Sequence, residues 1–351
     1  MAGTIPPRRI LLLRPSALGD VCRTVPVLAS LRQTWPEAEI YWVVQSEFAA
    51  AVASHPALTG VIPFPREAFR GSWRRPVQWA TVGSWLRGLR AIKWDLAIDC
   101  QGLARTGFML RASGASVRVV DRAAREGAWL AGTRRVVIPR GVHEVDRMLA
   151  LAEDAGATLS ADDRLYVAET DLTWWADTAG SRGRCAVLAS TSRWVSKAWP
   201  ASHWVELGEQ IIRDGHAEWI ALPGSRGEQA VVAPIAAELR QRGIDVIDYS
   251  GRTSIGQLMA LLNGAAMTVS NDSAALHMAA GLGGRCLGLF GPTDPAIVGP
   301  WRRRESAIRA TLEPGECPAY RNIHLGDSVM RRLSVSDVYA RLVKLLAEWK
   351  A

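Results

Sequence analysis

Four residues with side-chain oxygens stand between a β-prone segment at 266–269 and a helical pattern over 274–282: Ser270, Asn271, Asp272 and Ser273. Such residues are favoured where a helix begins, because their oxygens accept hydrogen bonds from its first N–H groups. The unpaired N–H groups and the positive end of the helix dipole also favour a bound phosphate. The spacing therefore predicts an anion site, and the alternative is an ordinary helix cap followed by the Gly-Pro turn at 291–295.

Polar residues also follow other predicted strands, at the edge where open α/β sheets bind their ligands. Asp20 follows the strand at 9–14, and Thr191, Ser192 and Lys197 follow the strand at 185–189. Each has a structural alternative. Asp20 suits the N-cap of a helix beginning near Val21, and a lysine such as Lys197 is most often exposed on the surface.

The composition predicts a soluble protein of two domains. The chain has 351 residues, more than one hydrophobic core usually serves. Its five cysteines are scattered, with no CxxC pair and no histidine at metal-ligand spacing, so neither a zinc site nor a disulfide framework is expected. The only apolar run near the start, residues 10–13, is stopped by Arg14 and Pro15, and we expect neither a signal peptide nor a membrane span.

The positive charge is concentrated in the first half of the chain. Residues 1–170 carry 22 Lys and Arg against 16 Asp and Glu, which accounts for +6 of the net charge of +8. Within that half, residues 66–94 interleave arginines with tryptophans around a single acid, Glu67. This mixture suits nucleic acid, a membrane surface or a phosphorylated glycolipid. The alternative is a solvated helix whose tryptophans turn inward.

Strand and helix patterns alternate along the whole chain, which predicts an α/β protein with two doubly wound parallel sheets. In the first half we expect strands at 9–14, 39–44, 60–63, 96–100, 117–120 and 135–138. In the second half we expect strands at 185–189, 217–222, 245–247, 266–269 and 285–289. The predicted divisions are a domain at 1–165, a linker at 166–183, a domain at 184–335 and a final helix at 336–351.

Several common phosphate-binding and catalytic motifs are absent from the sequence. No strand is followed by GxGxxG, and neither GxxxxGK[ST] nor GxSxG occurs, which argues against dinucleotide dehydrogenases, P-loop enzymes and α/β-hydrolases. Two Rossmann-like domains facing a central cleft, with an anion site in the second, are instead the arrangement of the GT-B glycosyltransferases. Those enzymes bind a nucleotide-sugar in the C-terminal domain and an acceptor in the N-terminal one.

Six segments in order along the chain resemble the bacterial ADP-heptose:lipopolysaccharide heptosyltransferases of glycosyltransferase family 9. They are RILLLRPSALGD at 9–20, DCQGLAR at 99–105, Arg125-Glu126, SKAWP at 196–200, Asn271-Asp272-Ser273 with His277, and FGPTDP at 290–295. The resemblance is stronger to the type that adds the first heptose of the inner core than to the type that adds the second. It implies an inverting, metal-independent enzyme without a cofactor.

The resemblance assigns chemical roles to two residues. Asp20 is implied as the general base that takes the proton of the acceptor hydroxyl as this oxygen attacks the anomeric carbon. Lys197 is implied to offset the charge that gathers on the leaving diphosphate, in place of a divalent cation. Other residues are implied to bind the donor: Thr191, Ser192, Glu228, Asp272, Ser273, Ala274 and His277. Glu228 is equally well explained as a helix-start acid, and His277 as a packed helix histidine.

The implied acceptor is a sugar of the nascent lipopolysaccharide core, in its Kdo region, at the cytoplasmic face of the inner membrane. The protein is then expected to be cytoplasmic and peripheral to that membrane, with an ADP-sugar and an anionic glycolipid as partners and no nucleic acid. The residues expected to contact the acceptor are Ser16, Gly19, Arg70, Arg74, Arg75, Gln101, Arg105 and Arg125.

The sequence departs from the family pattern at Ala274, where the family usually has glycine after Asp-Ser or Asp-Thr. The methyl group limits how closely a phosphate can approach the backbone. Three alternatives stay open. They are a different nucleotide-sugar or acceptor, a nucleotide-sugar 2-epimerase, and a non-catalytic glycolipid-binding protein that has kept the fold. The presence of both Asp20 and Lys197 argues against the last.

Overall fold

The computed structural model describes residues 6–69, 76–180, 182–316 and 323–349. The chain divides into two compact units, Met1–Tyr166 and Val167–Ala351. Each contains a parallel six-stranded sheet with helices between its strands. The prediction of an α/β protein with two doubly wound sheets is confirmed.

The first unit orders its strands β3-β2-β1-β4-β5-β6. The strands are β1 (Arg9–Leu13), β2 (Glu39–Gln45), β3 (Gly60–Phe64), β4 (Leu96–Asp99), β5 (Val117–Asp121) and β6 (Arg134–Val136). The helices are α1 (Leu18–Arg23), α2 (Val25–Thr34), α3 (Arg66–Phe69), α4 (Pro76–Ala91), α5 (Ala104–Ala112) and α6 (Glu144–Asp154). Short 3-10 helices span Ser46–Ala51 and Ala128–Ala131.

Strand β1 lies at the centre of the sheet, and its apolar residues are therefore buried on both faces. It pairs with β2 through Leu11 and Tyr41, and with β4 through Leu13 and Asp99. The strand order reverses between β1 and β4, so the loops that follow these two strands diverge to opposite sides and leave a crevice between them.

The second unit repeats this plan with the order β12-β11-β10-β7-β8-β9. Its strands are β7 (Cys185–Ala189), β8 (Trp219–Leu222), β9 (Val246–Asp248), β10 (Met267–Asn271), β11 (Cys286–Phe290) and β12 (Ala307–Arg309). Its helices are α7 (Glu169–Ala179), α8 (Ala201–Arg213), α9 (Gln229–Gln241), α10 (Ile255–Gly264), α11 (Ala274–Gly281), α12 (Pro295–Val298), α13 (Ile323–Arg331) and α14 (Val335–Glu348). The order reverses between β7 and β10.

The segment that we predicted as a linker at 166–183 instead contains helix α7, which packs on the second unit. The ring of Trp175 stacks on Trp219 with 6.1 Å between centroids, and Trp174 meets the edge of Tyr249 at 6.1 Å. The helix packs closely against α10 at Gly264. A methyl group added at this glycine would stand only 2.1 Å from the Trp175 indole nitrogen. The polar pattern near residue 180 misled the prediction, because it marks only the end of this helix.

The final helix α14 is part of the second unit rather than a separate element after residue 335. Its buried residues Val338, Leu342 and Leu345 belong to the same hydrophobic core as strand β7 and helices α8 and α9. This core covers one face of the second sheet. The polar loops lie at the carboxyl ends of its strands. The short edge strand β12 was missed, because three residues give too weak a periodic pattern.

Among the described residues, no helix combines the length and the apolar character that crossing a bilayer requires.

Candidate active site

The loops that follow β1 and β4 bring together three of the residues predicted to contact an acceptor. Ser16 donates its backbone N–H to Gln101 Oε1 at 3.3 Å, and Gln101 Nε2 donates to Ser16 Oγ at 3.2 Å. Arg105 Nη2 donates to the same hydroxyl oxygen at 3.3 Å. Asp99 Oδ1 holds the second loop by accepting the N–H groups of residues 101 and 102. The polar edge of the first sheet is therefore a connected network.

Asp20 lies inside α1 rather than at its N-cap. The helix begins at Leu18, so Asp20 is its third residue, and the predicted start near Val21 is wrong. Its Oδ2 accepts the backbone N–H of Ala17 at 3.4 Å, at the first turn of the helix. The next residue, Val21, is fully buried and anchors the helix on the sheet. Asp20 thus holds the helix start with its carboxylate and remains at the carboxyl edge of β1.

Two arginines hold the Asp20 carboxylate. Arg14 Nη2 lies 2.8 Å from Oδ2, and Arg23 pairs with Oδ1 from the next turn of α1. The Asp20 side chain is 28% exposed, and those of Arg14 and Arg23 are 10% and 12% exposed. Burial by itself would raise the pKa of Asp20, but the two guanidinium groups outweigh it and hold the pKa well below its usual range. Asp20 is therefore ionised at neutral pH.

The remaining predicted acceptor residues occupy different environments. Gly19 is buried within α1, beside Asp20. The backbone N–H of Arg125 donates to Gly102 O, in the loop after β4, at 2.9 Å. The side chain of Arg125 is exposed. The Arg105 guanidinium lies 5.5 Å from the centre of the Phe64 ring. Arg70, Arg74 and Arg75 lie outside the described residues.

The aromatic residues of the basic segment at 66–94 mostly pack on the first unit. Trp94 is buried and donates to Leu89 O at 2.8 Å, and Trp85 donates to Pro63 O at 2.8 Å. Phe69 and Trp85 meet edge to face at 5.6 Å. Trp79 is 60% exposed. Trp94 therefore lies in the core and Trp85 packs against it, which is the inward orientation that the sequence left open as the alternative, and Trp73 is not among the described residues.

In the second unit, Asn271 joins the loops that follow β7 and β10. Its Nδ2 donates to Ser190 O at 2.7 Å, and its Oδ1 accepts the backbone N–H of Trp199 at 3.1 Å. The side chain is fully buried at the end of β10. These two hydrogen bonds fix the long loop after β7, which carries Lys197, against the start of α11.

Lys197, Asp272 and Thr293 form the polar centre of this site. Lys197 Nζ lies 2.6 Å from Asp272 Oδ2, and Thr293 Oγ1 donates to the same oxygen at 2.7 Å. The Lys197 side chain is 15% exposed and that of Asp272 is 7% exposed. Burial would raise the pKa of Asp272, but the adjacent Lys197 ammonium lowers it on balance. Asp272 thus holds the Lys197 ammonium at the carboxyl edge of the second sheet.

Helix α11 begins next to this pair. Ser273 is its N-cap residue, and its hydroxyl lies 3.0 Å from that of Ser270, so it does not cap the first turn. Ala274 is the first residue of the helix. His277 is largely buried one turn later, close enough to Asp272 to contribute to its lowered pKa. The first-turn N–H groups are thus available beside a lysine, which is the arrangement that binds anions.

The other predicted donor residues surround the same loops. Ser192 Oγ donates to Asp272 O at 3.4 Å, and Thr191 is half-buried beside it. Glu228 Oε2 accepts the backbone N–H of Ser225 at 2.7 Å, which is the helix-start role that the sequence left open. Asp294 caps α12, because its carboxylate accepts the backbone N–H of Ala296 at 2.9 Å. This is a structural role.

Sequence reasoning missed three residues of these two networks: Arg14, Arg23 and Thr293. Arg14 and Thr293 stand within the segments that carry the family resemblance, so their place directly after strands was a usable signal. Arg23 gave the weaker signal of a cation three residues after Asp20, which is one helical turn away. No group of three or more His, Cys, Asp or Glu residues suited to hold a metal ion occurs in the described part of the chain.

Comparisons with known proteins agree with this geometry. The family model for glycosyltransferase family 9 (heptosyltransferase) matches residues 82–325. The chain is 33% identical to lipopolysaccharide heptosyltransferase 1 of Pseudomonas aeruginosa, over 88% of this chain and 86% of that protein. It is 28% identical to lipopolysaccharide heptosyltransferase 1 of Escherichia coli K12, over 87% of this chain and 94% of that protein.

Solved structures give the same result. The E. coli heptosyltransferase WaaC with ADP superimposes with a TM-score of 0.78 at 25% identity, covering 96% of this chain and 99% of that one. A family 9 glycosyltransferase from Veillonella parvula shares the fold, with a TM-score of 0.79 at 19% identity and 97% of both chains covered. With two parallel sheets of matching order and a family match over most of its length, the chain belongs to glycosyltransferase family 9, the heptosyltransferases.

Proposed function

We propose that the protein transfers heptose from ADP-heptose to a sugar in the Kdo region of the nascent lipopolysaccharide core, with inversion at the anomeric carbon. The observation that carries the proposal is the Lys197–Asp272 pair beside the N-terminus of α11, 2.6 Å apart at the switch point of the second sheet. The names of the similar proteins support the sugar and the acceptor.

The donor diphosphate binds at the start of α11. Backbone N–H groups near Ser273 and Ala274 and the hydroxyl of Ser273 donate to its oxygens, and Lys197 supplies the positive charge. Asp272 keeps the ammonium in place, and Thr293 and Asn271 in turn hold Asp272 and the loop of Lys197. Thr191 and Ser192 add donors from the same loop. Glu228 binds the hydroxyls of the donor's ribose, and His277, one turn into α11, lies at the same site.

Transfer at the acceptor begins with its hydroxyl directed at Asp20. The hydroxyl oxygen attacks the anomeric carbon from the face opposite the diphosphate, its proton passes to the Asp20 carboxylate, and the bond from the anomeric carbon to the diphosphate oxygen breaks. Because Arg14 and Arg23 keep the pKa of Asp20 low, the carboxylate is a weak base. The developing positive charge on the sugar must therefore acidify the hydroxyl before the proton moves.

The departing ADP takes both electrons of the broken bond. Lys197 offsets this growing negative charge, which is the part a divalent cation plays in other glycosyltransferases. We therefore propose that the enzyme works without a metal or other cofactor. The rate should then be unaffected by EDTA, and inhibition by EDTA that magnesium reverses would contradict this part of the proposal.

The acceptor is an anionic, membrane-bound glycolipid, and we propose that the first unit binds it. Ser16, Gln101 and Arg105 offer a hydroxyl, an amide and a cation within one hydrogen-bonded network next to Asp20. The excess positive charge of the first 170 residues suits the phosphates and carboxylates of such an acceptor. The enzyme would then work at the cytoplasmic face of the inner membrane, as a peripheral protein.

A comparison of donors tests the proposal directly. The purified protein is incubated with deacylated Kdo-containing acceptor and, in parallel, with ADP-, UDP- or GDP-linked sugars, and the product is analysed by mass spectrometry and by NMR of the anomeric proton. Of the donors compared, we expect only ADP-heptose to give product, and we expect the anomeric configuration of the transferred heptose to be inverted. Transfer from another nucleotide-sugar in preference to ADP-heptose, or retention of configuration, would refute it.

A further inference from the structure

A shallow groove on the first unit lies between helix α5 and the 3-10 helix at Ala128–Ala131. It has a volume of about 310 Å³ and a floor of small residues. The two backbones approach so closely that a methyl group at Gly107 would stand 2.8 Å from the Ala128 Cα atom. The groove is therefore open to solvent but too shallow to enclose a sugar nucleotide.

Two large apolar side chains form the walls of this groove. Phe108 on α5 is 55% exposed, and Leu130 on the 3-10 helix is 63% exposed. Single exposed apolar residues are ordinary, but two facing each other across one groove make a contiguous apolar surface, which marks an interaction site.

The stretch of chain that forms the groove is strongly cationic. Residues 104–140 contain eight arginines and only two acids, Asp121 and Glu126. Asp121 pairs with Arg147 at 2.5 Å, which offsets its charge. Glu126 lines the groove and keeps its negative charge while it accepts the N–H of Ala104 at 3.1 Å. The arginines of this stretch therefore still outnumber its uncompensated acids.

Arg111 lines the groove. The guanidinium of Arg118 lies close enough to Arg111 for the two positive charges to repel each other. Burial lowers the pKa of Arg118, and the charge of Arg111 lowers it further. The Arg118 guanidinium donates to the carbonyl oxygens of Ala131 at 2.8 Å and Ala115 at 2.7 Å, which are uncharged acceptors. Two cations side by side favour a partner that brings several anionic groups at once.

We propose that this α5 groove docks the first unit on a bilayer that contains anionic lipids. Phe108 and Leu130 enter the interface between headgroups and acyl chains, and Arg111 and Arg118 contact lipid phosphates. A second copy of the chain is disfavoured as the occupant, because two such cationic faces would repel each other. The inference rests on the proposed function in one respect, since a membrane-bound acceptor gives the enzyme a reason to be at this surface.

Flotation with lipid vesicles tests the proposal. The full-length protein is mixed with vesicles of phosphatidylcholine alone or with about 30% phosphatidylglycerol, at low and at high salt. We expect binding to the anionic vesicles only, weakened by salt. The double variant Phe108→Ser/Leu130→Ser should bind at least tenfold more weakly, and Arg111→Ser about fivefold more weakly.

Matched changes on the second unit serve as controls. Val231→Ser replaces an equally exposed apolar residue of α9, and Arg252→Ser removes an exposed arginine. Both should bind vesicles as the wild type does. Circular dichroism establishes that every variant is folded. Transfer to a deacylated acceptor without vesicles should keep the wild-type rate in all variants, so loss of the proposed transferase function would be seen separately from loss of docking.

Any of three results would overturn the inference: the wild type binds neutral and anionic vesicles equally, it binds neither, or the double variant binds as well as the wild type. In the last case, a changed oligomeric state of the double variant in light scattering would mean that the groove holds a second copy of the chain.

Discussion

Replacement of Lys197 by methionine should weaken the fold of the second unit as well as slow turnover. Methionine has a similar length but no charge, so it leaves the Asp272 carboxylate buried without its cation. The gross attraction across 2.6 Å is about 6 kcal/mol at an effective dielectric constant of 20. Much of it is offset by the cost of burying both charges, and removal of one partner from such a pair typically costs about 3–5 kcal/mol.

The lower end of that range applies here. Thr293 Oγ1 still donates to Asp272 Oδ2 at 2.7 Å, so one hydrogen bond to the carboxylate survives. We expect a loss of about 3 kcal/mol at neutral pH. For a unit of this size that is a fall of roughly 6–12 °C in the unfolding temperature, measured by calorimetry. Turnover should fall by about 10²–10³ because the leaving diphosphate loses its charge partner.

The pH dependence of stability separates this account from a simple packing defect. In the wild type the pKa of Asp272 is lowered, so the pair stabilises the fold above the unfolded-state pKa of about 3.9 and loses this effect as the pH falls through the folded value. In the variant, uncompensated burial raises the pKa of Asp272. Its penalty is therefore largest at neutral pH and is relieved as the carboxyl is protonated. The difference in stability between the two proteins should shrink as the pH falls towards the unfolded-state pKa of about 3.9.

A second substitution supplies the control. Asp272→Asn removes the charge that Lys197→Met leaves behind, so the double variant should regain at least about 2 kcal/mol of stability, measured as the coupling in a double-mutant cycle. It should not regain turnover, because the diphosphate still lacks its lysine. An unchanged unfolding temperature in Lys197→Met, or no recovery in the double variant, would refute the reasoning.

Three further changes test the first unit. Asp20→Asn keeps the hydrogen bond to Ala17 possible but removes the base. Turnover measured by product formation should therefore fall by about 10²–10⁴, with donor affinity unchanged. An active variant would exclude Asp20 as the base. Arg23→Gln removes one of the two cations that lower the pKa of Asp20, so the acid limb of the pH profile of kcat/KM should move to higher pH, and a profile identical to that of the wild type would contradict this. The triple change of Arg70, Arg74 and Arg75 to serine should raise the acceptor KM and weaken its salt dependence while ADP binding is kept, and unchanged acceptor use at every salt concentration would mean that these arginines do not bind it.

The sheets could be predicted because each central strand is a short apolar run bounded by polar or turn residues. RILLL at β1 is buried at every position but the first, and CAVLA at β7 is buried throughout. Both strands were predicted within a residue of their observed ends. The Asp272 site could also be predicted, since strand, polar switch and helix follow one another directly along the chain. Local pattern is sufficient when all the parts are neighbours in sequence.

The arginine partners of Asp20 were harder to predict because side-chain pairing depends on the packed structure. Arg14 reaches Asp20 and also donates to the carbonyl of Cys100 in the loop after β4. That contact arises only once β1 and β4 are neighbours, which no local pattern encodes. The inward rings of Trp85 and Trp94 have the same cause, since the composition of residues 66–94 is compatible with either orientation and only the core decides between them.

Helix α7 determines where the second unit can be cut from the first. A fragment that starts at Cys185, with the first strand of the sheet, would lack Trp174 and Trp175 and would uncover Trp219, which is fully buried in the whole chain. Exposure of one such ring returns on the order of 150–250 Å² of surface to water and invites aggregation. A fragment that starts at Val167 keeps both aromatic contacts. Separate production of the second unit should therefore begin before Glu169, about sixteen residues earlier than the sheet itself suggests.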